Sequence, residues 1–323
     1  MAGITKEGAR QRTLINRIRA GEWIFTALVS VAALTVLLII FGLFYELTTS
    51  SWPAVKHNGI DFIWATAWDP PREIFNAGAF IVGTVITSLA ALVAATIIGV
   101  LVALYLVEIA PPALARPISF MVELLAAIPS VVYGLWGIFV LGIFIRDSFG
   151  PRVTDAFGFI PIFDGTPLIT GLFSATVILT IMILPTIMAV SRDVIAAVPY
   201  SQREGIVALG ATRWEMIQLT VIPYARSGIL GAAILGLARA VGETLAVTLV
   251  IGNRVGIPST IFDPAYTMAS VIANQFNEVE NSMHRASLLE VALVLLVITF
   301  LINVAARLLV WRVTGGQRVS VVE

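Results

Sequence analysis

Two charged residues, Arg239 and Glu243, lie in an otherwise apolar stretch of the sequence. An arginine at the centre of a bilayer costs at least about 2.5–3.5 kcal/mol, so it must face protein or a water-filled path. Its guanidinium group can bind an oxyanion such as phosphate through two parallel hydrogen bonds. On one helix face, Glu243 at i+4 would partly neutralise Arg239, so an anion would be attracted without being trapped. The spacing predicts an anion pathway at these residues; a structural Arg–Glu pair that steadies the helices is the alternative.

A short polar segment, residues 203–212, separates two long apolar stretches. Ile206 and Leu209 recur there at helical spacing, and Gly210 suits the left-handed residue that ends a helix. Apolar residues recur again after Trp214, and Pro223 suits the first turn of a further helix. The pattern predicts a short helix, a glycine turn, a second short helix and then a membrane span. This indicates a docking element, with an amphipathic loop resting on lipid headgroups as the alternative. Its expected residues are Arg203, Glu204, Gly205, Ala208, Leu209, Gly210 and Pro223.

Three further residues are candidates for gating. Pro129 and Pro185 interrupt apolar stretches, where proline can kink a helix and provide a hinge. Membrane helices also tolerate proline for packing reasons, so both interpretations stay open. Glu123 lies near one end of the predicted third span and can extend its carboxylate to the interface. This favours a structural role for Glu123, with gating as the alternative.

The composition predicts the elements that position these residues. The chain of 323 residues is 58% hydrophobic and 12% charged, with a mean hydropathy of +0.95, whereas soluble domains carry roughly 25% charged residues. A span takes about 20 apolar residues, and each must be helical because lipid offers no partners for backbone groups. The sequence therefore predicts an all-α, polytopic membrane protein. Its transmembrane domain covers 22–312, between a segment 1–21 and a tail 313–323, with spans at about 22–47, 77–109, 117–145, 168–190, 223–251 and 287–311.

The distribution of cations predicts the orientation. Thirteen of the twenty Lys and Arg residues would lie on one side of the membrane and six on the other, with Arg239 inside a span. The positive-inside rule therefore predicts that both termini and the 191–222 loop are cytosolic. The outer loops would cover 48–76, 146–167 and 252–286.

The sequence lacks the residues that several classes of protein need for their function. The sequence has no cysteine, which excludes disulfides and thiolate chemistry, and no G-x-x-x-x-G-K-[ST] motif for an ATPase. It has two histidines, far apart, and neither an H-E-x-x-H nor a G-x-S-x-G motif. A formal net charge of zero gives no indication of a nucleic-acid partner. We expect no catalytic residue, no metal site and no cofactor in this chain.

The 203–223 segment resembles the EAA loop of ABC-importer permeases. Glu204, Gly210 and Pro223 match its Glu, its spaced Gly and its closing Pro, while Gly205 and Ile206 replace the two alanines. The resemblance implies a type I permease fold. It also implies that this loop forms coupling helices in a groove of a separate ATPase subunit, which is a helix-in-groove mode of recognition.

Two further segments are similar to the permease subunits of phosphate ABC importers: Glu-Leu-Leu-Ala-Ala-Ile-Pro-Ser-Val-Val-Tyr-Gly-Leu-Trp-Gly at 123–137 and Ala-Arg-Ala-Val-Gly-Glu-Thr-Leu-Ala-Val at 238–247. The first span and the long loop after it resemble the PstC type rather than its PstA-type partner. The resemblance implies Arg239 and Glu243 as pathway charges and an inner-membrane location. The implied partners are a PstA-type permease subunit, a dimer of PstB-type ATPase subunits that uses ATP and Mg, a PstS-type extracytoplasmic binding protein, phosphate and membrane lipid.

Three alternatives remain at this point. An Arg in the path would serve another oxyanion, such as molybdate or sulfate, equally well. A secondary transporter driven by an ion gradient would belong to a different class, although no internal repeat supports it. In a membrane scaffold that transports nothing, Arg239 and Glu243 would be a structural pair only.

Overall fold

The computed structural model of the protein describes residues Ile4–Val313, and its side chains from Glu22 to Arg312. The chain consists of two compact units, Met1–Ser50 and Ser51–Glu323, and helix α1 (Ile4–Asn58) contains the boundary between them. The backbone of the expected N-terminal segment 1–21 is helical from Ile4 onward. The expected C-terminal tail lies outside the described residues except for Val313.

Beyond α1, the described residues form further helices and one short β-hairpin. In chain order these are α2 (Asp61–Trp64), β1 (Trp68–Asp69), β2 (Ile74–Phe75), α3 (Gly78–Leu104), α4 (Pro112–Ala127), α5 (Ser130–Trp136), α6 (Gly150–Phe157), α7 (Leu172–Ala196), α8 (Tyr200–Ala208), α9 (Arg213–Met216), α10 (Ile222–Gly242), α11 (Leu245–Val250), α12 (Met268–Gln275) and α13 (Ser282–Val313). Wider π-helical turns extend or join several helices, at Tyr105–Ile109, Gly137–Gly142, Ile145–Phe149 and Ile217–Val221. Short 3-10 turns lie at Pro70–Arg72 and Phe276–Glu278.

Six helices of the described residues are long and apolar enough to cross a membrane, which confirms the predicted number. They are the first span (Glu22–Asn58), the second (Gly78–Ile109), the third (Ser130–Phe157), the fourth (Leu172–Ala196), the fifth (Arg213–Gly242) and the sixth (Ser282–Arg312). The all-α class is confirmed as well, since the only strands among these residues are the two-residue β1 and β2.

The predicted bounds of the third and fifth spans are wrong. The third span does not begin at 117, because α4 ends at Ala127 and the chain is extended at Ile128 and Pro129. The fifth span begins at Arg213 rather than at 223. Proline in a helix clashes with the carbonyl four residues earlier. The π-helical turn at Ile217–Val221 widens the backbone there, so the helix continues through Pro223.

In the first unit, the apolar side chains of α1 are exposed. Trp23, Leu37 and Phe41 are among them, and none of the described side chains of this unit, from Glu22 to Ser50, is buried. A helix that presents apolar residues on all sides to its surroundings suits contact with lipid or with another membrane protein.

In the second unit, α7 is the central helix. It has the largest buried share of the six spans, and it packs against α3 and α10. Gly99 of α3 lets the backbone of α7 approach, since a Cβ there would lie 3.3 Å from the Met188 nitrogen. Small residues at such positions allow close helix packing in membranes. The resulting core contains Ala91, Ile178 and Ile183, all fully buried.

The two ends of α7 carry different structures. At its N-terminal end, the Gly171 and Leu172 N–H groups donate to the carbonyls of Val250 and Asp263. At its C-terminal end, Ile195 and Val198 pack with the first turns of the fifth span. With 25 residues, α7 separates these ends by about 37 Å, enough to cross the hydrocarbon core.

A second hydrophobic cluster unites the β-hairpin with α12, α13 and the start of α3. Trp68 packs edge-on against Phe75 and Phe80, and its indole N–H donates to Gln275 Oε1 at 2.8 Å. This packing fixes the β-hairpin and α12 against α13 and the start of α3.

Candidate functional site

The fifth span ends three residues after Arg239. Helix α10 ends at Gly242, Glu243 adopts extended backbone angles (φ −70, ψ 123), and α11 starts at Leu245. Arg239 and Glu243 are both partly buried. An arginine three residues before the end of a helix also lies among carbonyl groups that have lost their helical partners, which favours a cation there.

The expected helical pairing of Arg239 with Glu243 is wrong. The helix stops at Gly242, and Glu243 is the residue at which the backbone turns from α10 towards α11. Within the described part of the chain they form no ion pair. The Glu243 carboxylate instead accepts a 3.4 Å hydrogen bond from the Ala246 N–H in the first turn of α11. The positive charge of Arg239 is thus not neutralised by Glu243.

A second helix break lies near the first. Between α4 and α5 the chain is extended at Ile128 and Pro129, and the Tyr133 hydroxyl donates to the Leu125 carbonyl at 2.7 Å across this break. The Arg239 guanidinium lies close enough to Tyr133 for an electrostatic interaction. Tyr133 was not singled out from the sequence, although a hydroxyl eight residues after Leu125 is a polar group that an apolar span must satisfy.

Helices α5 and α11, which follow the two breaks, pack against each other. A Cβ at Gly134 would lie 2.5 Å from Leu249 Cδ1 and 3.2 Å from Ala246 Cα. The close approach explains the glycine and aligns the two broken spans. The structure therefore brings together Pro129, Tyr133, Arg239 and Glu243 around two adjacent helix interruptions.

The other two gating candidates lie away from these breaks. Pro185 is buried inside α7, which continues without interruption from Leu172 to Ala196, so the expected interruption there is absent. Glu123 lies on α4 and accepts a 3.0 Å hydrogen bond from Arg192 Nη1. This contact joins the C-terminal half of α7 to α4.

The 203–212 segment forms the predicted helix and turn. Helix α8 covers Tyr200–Ala208, and Gly210 has a positive φ of 94° with open space around its α-carbon. Glu204, Gly205, Ala208 and Leu209 are exposed, and the Leu209 side chain is 87% exposed. Arg203 differs from this group because it is buried.

The second short helix is fused to the fifth span. Thr212 caps α9 through a reciprocal pair of bonds: its hydroxyl accepts from the Glu215 N–H, and Glu215 Oε2 accepts from the Thr212 N–H. The sequence Thr-x-x-Glu at 212–215 is a capping-box pattern that predicts this start. The cap fixes the direction in which the chain leaves Gly210.

A surface groove of ≈ 610 Å³ lies between α8 and the start of the fifth span. Its lining combines apolar side chains with hydroxyl and amide groups: Ser201, Gln202, Gly205, Ile206, Leu209, Leu219, Thr220, Pro223 and Tyr224. Tyr200, Trp214 and Leu219 are exposed nearby. Exposed aromatic and aliphatic side chains beside a shaped groove suit a protein contact.

Comparison with known proteins agrees with this architecture. The family described as "Binding-protein-dependent transport system inner membrane component" matches residues 95–315. The "Phosphate transport system permease protein PstC" of Mesorhizobium japonicum is 42% identical over 303 residues, covering 93% of each chain. The protein of the same name from Haemophilus influenzae is 40% identical, covering 90% of this chain and 93% of that one.

Solved structures show the same fold. A bacterial alginate ABC transporter matches with a TM-score of 0.61 and 15% identity, over 90% of this chain and 95% of that one. An inward-facing form of the MetNI methionine ABC transporter matches with a TM-score of 0.53 and 19% identity, over 72% of this chain and 93% of that one. With two thirds of its length matched by the family profile, the chain belongs to the binding-protein-dependent transport system inner membrane components.

Proposed function

We propose that this chain is one permease subunit of an ATP-driven importer that carries inorganic phosphate across the inner membrane by alternating access. The chain makes and breaks no bonds itself. ATP hydrolysis with Mg takes place in a separate pair of PstB-type subunits. Both termini and the 191–222 loop lie in the cytosol, in agreement with the distribution of cations in the sequence.

The observation that carries this proposal is the Arg239 guanidinium, which lies at a helix break without neutralisation by Glu243. A cation at membrane depth needs an anionic partner or water. Guanidinium matches the geometry of a phosphate oxygen pair. The similarity to phosphate transport system permease proteins over more than nine tenths of the chain supports phosphate as that anion.

The breaks at 128–129 and 243–244 supply the moving parts of the pathway. In transporters, interrupted helices place backbone groups and charges at substrate sites near the middle of the membrane. Phosphate attracted to Arg239 would be held at the junction of α5 and α11. It would leave because Glu243, in the same junction, limits the strength of binding to the anion.

A second permease subunit of the PstA type completes the pathway. Arg239 and Glu243 are only partly buried within this chain, and lipid cannot cover charged groups without a large cost. A second protein chain would enclose them together with the exposed Val132 and Trp136 of the third span. The exposed apolar side chains of the first unit contact membrane lipid.

The two ends of the bundle receive the other partners. Helix α8, Leu209 and the adjacent groove bind the ATPase subunit as a helix presented to a complementary surface. At the opposite end, the segments that surround the β-hairpin and α12 receive the PstS-type binding protein, which delivers phosphate. ATP-driven closure of the ATPase pair moves α8 and tilts the spans.

Uptake of radiolabelled phosphate by cells that lack only this chain tests the proposal. We expect uptake to require the restored chain and ATP, and to resist competition by molybdate and sulfate. Equal competition by molybdate or sulfate would assign another oxyanion. Uptake driven by a proton gradient without an ATPase would refute the proposal altogether.

A further inference from the structure

Helix α8 has one buried side chain, and that side chain is charged. Of the residues Tyr200–Ala208, Arg203 alone is buried, while Ile206 is partly buried and the others are exposed. Apolar burial, which holds most surface helices in place, is therefore small for α8. Its position relative to the spans depends largely on what Arg203 contacts.

Arg203 contacts the ends of two spans at once. Its Nη2 lies 2.9 Å from Glu108 Oε1, in the π-helical turn that ends the second span. The same nitrogen donates a 2.8 Å hydrogen bond to the carbonyl of Ile195, near the end of α7. The Arg203 guanidinium also lies 5.1 Å from the centre of the Tyr200 ring.

The Arg203–Glu108 pair is well shielded from water. The side chains of Arg203 and Glu108 are 10% and 7% exposed. Exposed ion pairs exchange partners with water at little cost, but a buried pair that separates leaves uncompensated charges in a medium of low dielectric constant. The pair therefore resists sliding or rotation of α8 relative to Glu108.

The elements that hold Glu108 and Ile195 pack against each other. Helices α3 and α7 pack along each other, and Leu104 and Leu106 join Ile195 in one hydrophobic cluster. A displacement of α8 that carries Arg203 along must move the ends of the second and fourth spans with it.

We propose that Glu108 and Arg203 are positioning residues that link the docking helix α8 rigidly to the second and fourth spans. The link transmits ATP-driven movement of α8 to the helices that surround the pathway. This inference rests on the proposed function, in which α8 binds the ATPase subunit.

Two variants test the link with the assembled transporter in liposomes. The double variant Glu108→Met/Arg203→Met removes both charges together, which avoids a lone buried charge and retains apolar volume. Glu108→Asp keeps the charge pair but shortens the carboxylate side chain by one carbon. Arg146→Gln/Asp147→Asn, which removes an exposed ion pair elsewhere in the chain, is the matched control. The measurements are retention of the ATPase subunit on purification, ATP hydrolysis rate and phosphate molecules transported per ATP hydrolysed.

We expect the double variant to retain the ATPase subunit and to hydrolyse ATP, while phosphate transported per ATP falls about tenfold. Glu108→Asp should lower the ratio by about two- to threefold, and the control should match the unchanged protein. A purely structural pair would leave the ratio unchanged in every variant that assembles, and this result would overturn the link. If the double variant fails to assemble, the ratio in Glu108→Asp decides. Loss of ATP dependence in the unchanged protein would reject the proposed function instead.

Discussion

At the scale of single residues, the main finding is that Arg239 and Glu243 are separated by the end of a helix. An i+4 pair on a continuous helix would partly neutralise Arg239 before any anion arrived. In the structure, the Glu243 carboxylate accepts a hydrogen bond from the Ala246 N–H, while Arg239 interacts electrostatically with Tyr133. In the proposed function, the two charges would therefore act on the anion separately.

Replacing Arg239 should abolish most transport without disturbing assembly. Arg239→Gln removes the charge but keeps a hydrogen-bonding side chain of similar shape. A hydrogen bond to a charged group contributes about 1.5–3 kcal/mol, so we expect phosphate uptake to fall by about tenfold to a hundredfold. Arg239→Lys keeps the charge but loses the bidentate fork, so its loss should be smaller. Initial uptake rates at equal amounts of membrane-inserted protein measure both.

The exposed Arg152 provides the matched control for these variants. It lies on α6 and donates to the Ser148 carbonyl, outside the junction of the two breaks. Arg152→Gln should leave uptake unchanged. Normal uptake in Arg239→Gln would show that Arg239 is not part of the pathway. Its charge would then have a structural role only.

At the scale of elements, the proposed docking loop contains two glycines in different backbone conformations. Gly205 lies within α8, where its surroundings are open and any residue of helical propensity fits. Gly210 has a positive φ of 94°, which strains a residue with a side chain. The backbone at position 205 therefore does not require the glycine that departs from the Glu-Ala-Ala pattern. The backbone at position 210 does favour glycine, because its φ is positive.

Alanine at these two positions should have opposite effects on ATPase binding. Gly205→Ala should strengthen α8 by about 0.5–1 kcal/mol, because glycine loses more conformational freedom in a helix. Gly210→Ala should cost about 1–2 kcal/mol, because a Cβ in the left-handed region meets the following carbonyl. Titration of purified ATPase subunit onto membranes that contain each variant should show a dissociation constant unchanged or lowered for Gly205→Ala. For Gly210→Ala it should rise by about fivefold to thirtyfold. Equal affinities for the two variants would mean that the turn does not position the docking helix.

Some of the helices and turns could be predicted from the sequence alone. Long apolar runs predict the six spans, because length and hydropathy are local properties. The turn at Gly210 is predictable for the same reason. The end of α4 before Pro129 is in line with the restriction that proline places on the preceding residue, whereas α7 continues through Pro185. Nothing local distinguishes these two prolines.

The helix breaks at 128–129 and 243–244 and the ion pair that holds α8 depend on contacts between residues distant in sequence. Helix α10 stops at Gly242, and α11 then packs on Gly134, more than a hundred residues earlier in the sequence. Glu108 meets Arg203 across ninety-five residues. Such pairs are set by how the spans pack, so spacing along the chain could not indicate them.

At the scale of the whole second unit, the two ends of α7 carry the structures to which we assign different functions. One end carries the docking helix, the capping box and the buried Glu108–Arg203 pair. The other carries the hairpin and the aromatic cluster around Trp68. The proposed pathway charges Arg239 and Glu243 lie at the end of α10 and directly after it. In the proposed function, the ATPase and the binding protein act on the same chain from opposite sides of the membrane, which this arrangement suits.

The orientation of the chain is the last prediction, and the absence of cysteine from the sequence makes its test direct. Leu209→Cys and Phe159→Cys each introduce one thiol at a side chain that is 87% or 81% exposed. If the 191–222 loop is cytosolic, a membrane-impermeant maleimide should label Phe159→Cys in intact spheroplasts. In cells without the ATPase subunit, which would otherwise cover Leu209, it should label Leu209→Cys only after the membrane is opened, because about 30 Å of hydrocarbon excludes a charged reagent. The cysteine-free parent controls for background labelling. The reverse pattern would invert the topology and place the docking helix where no ATPase subunit could reach it.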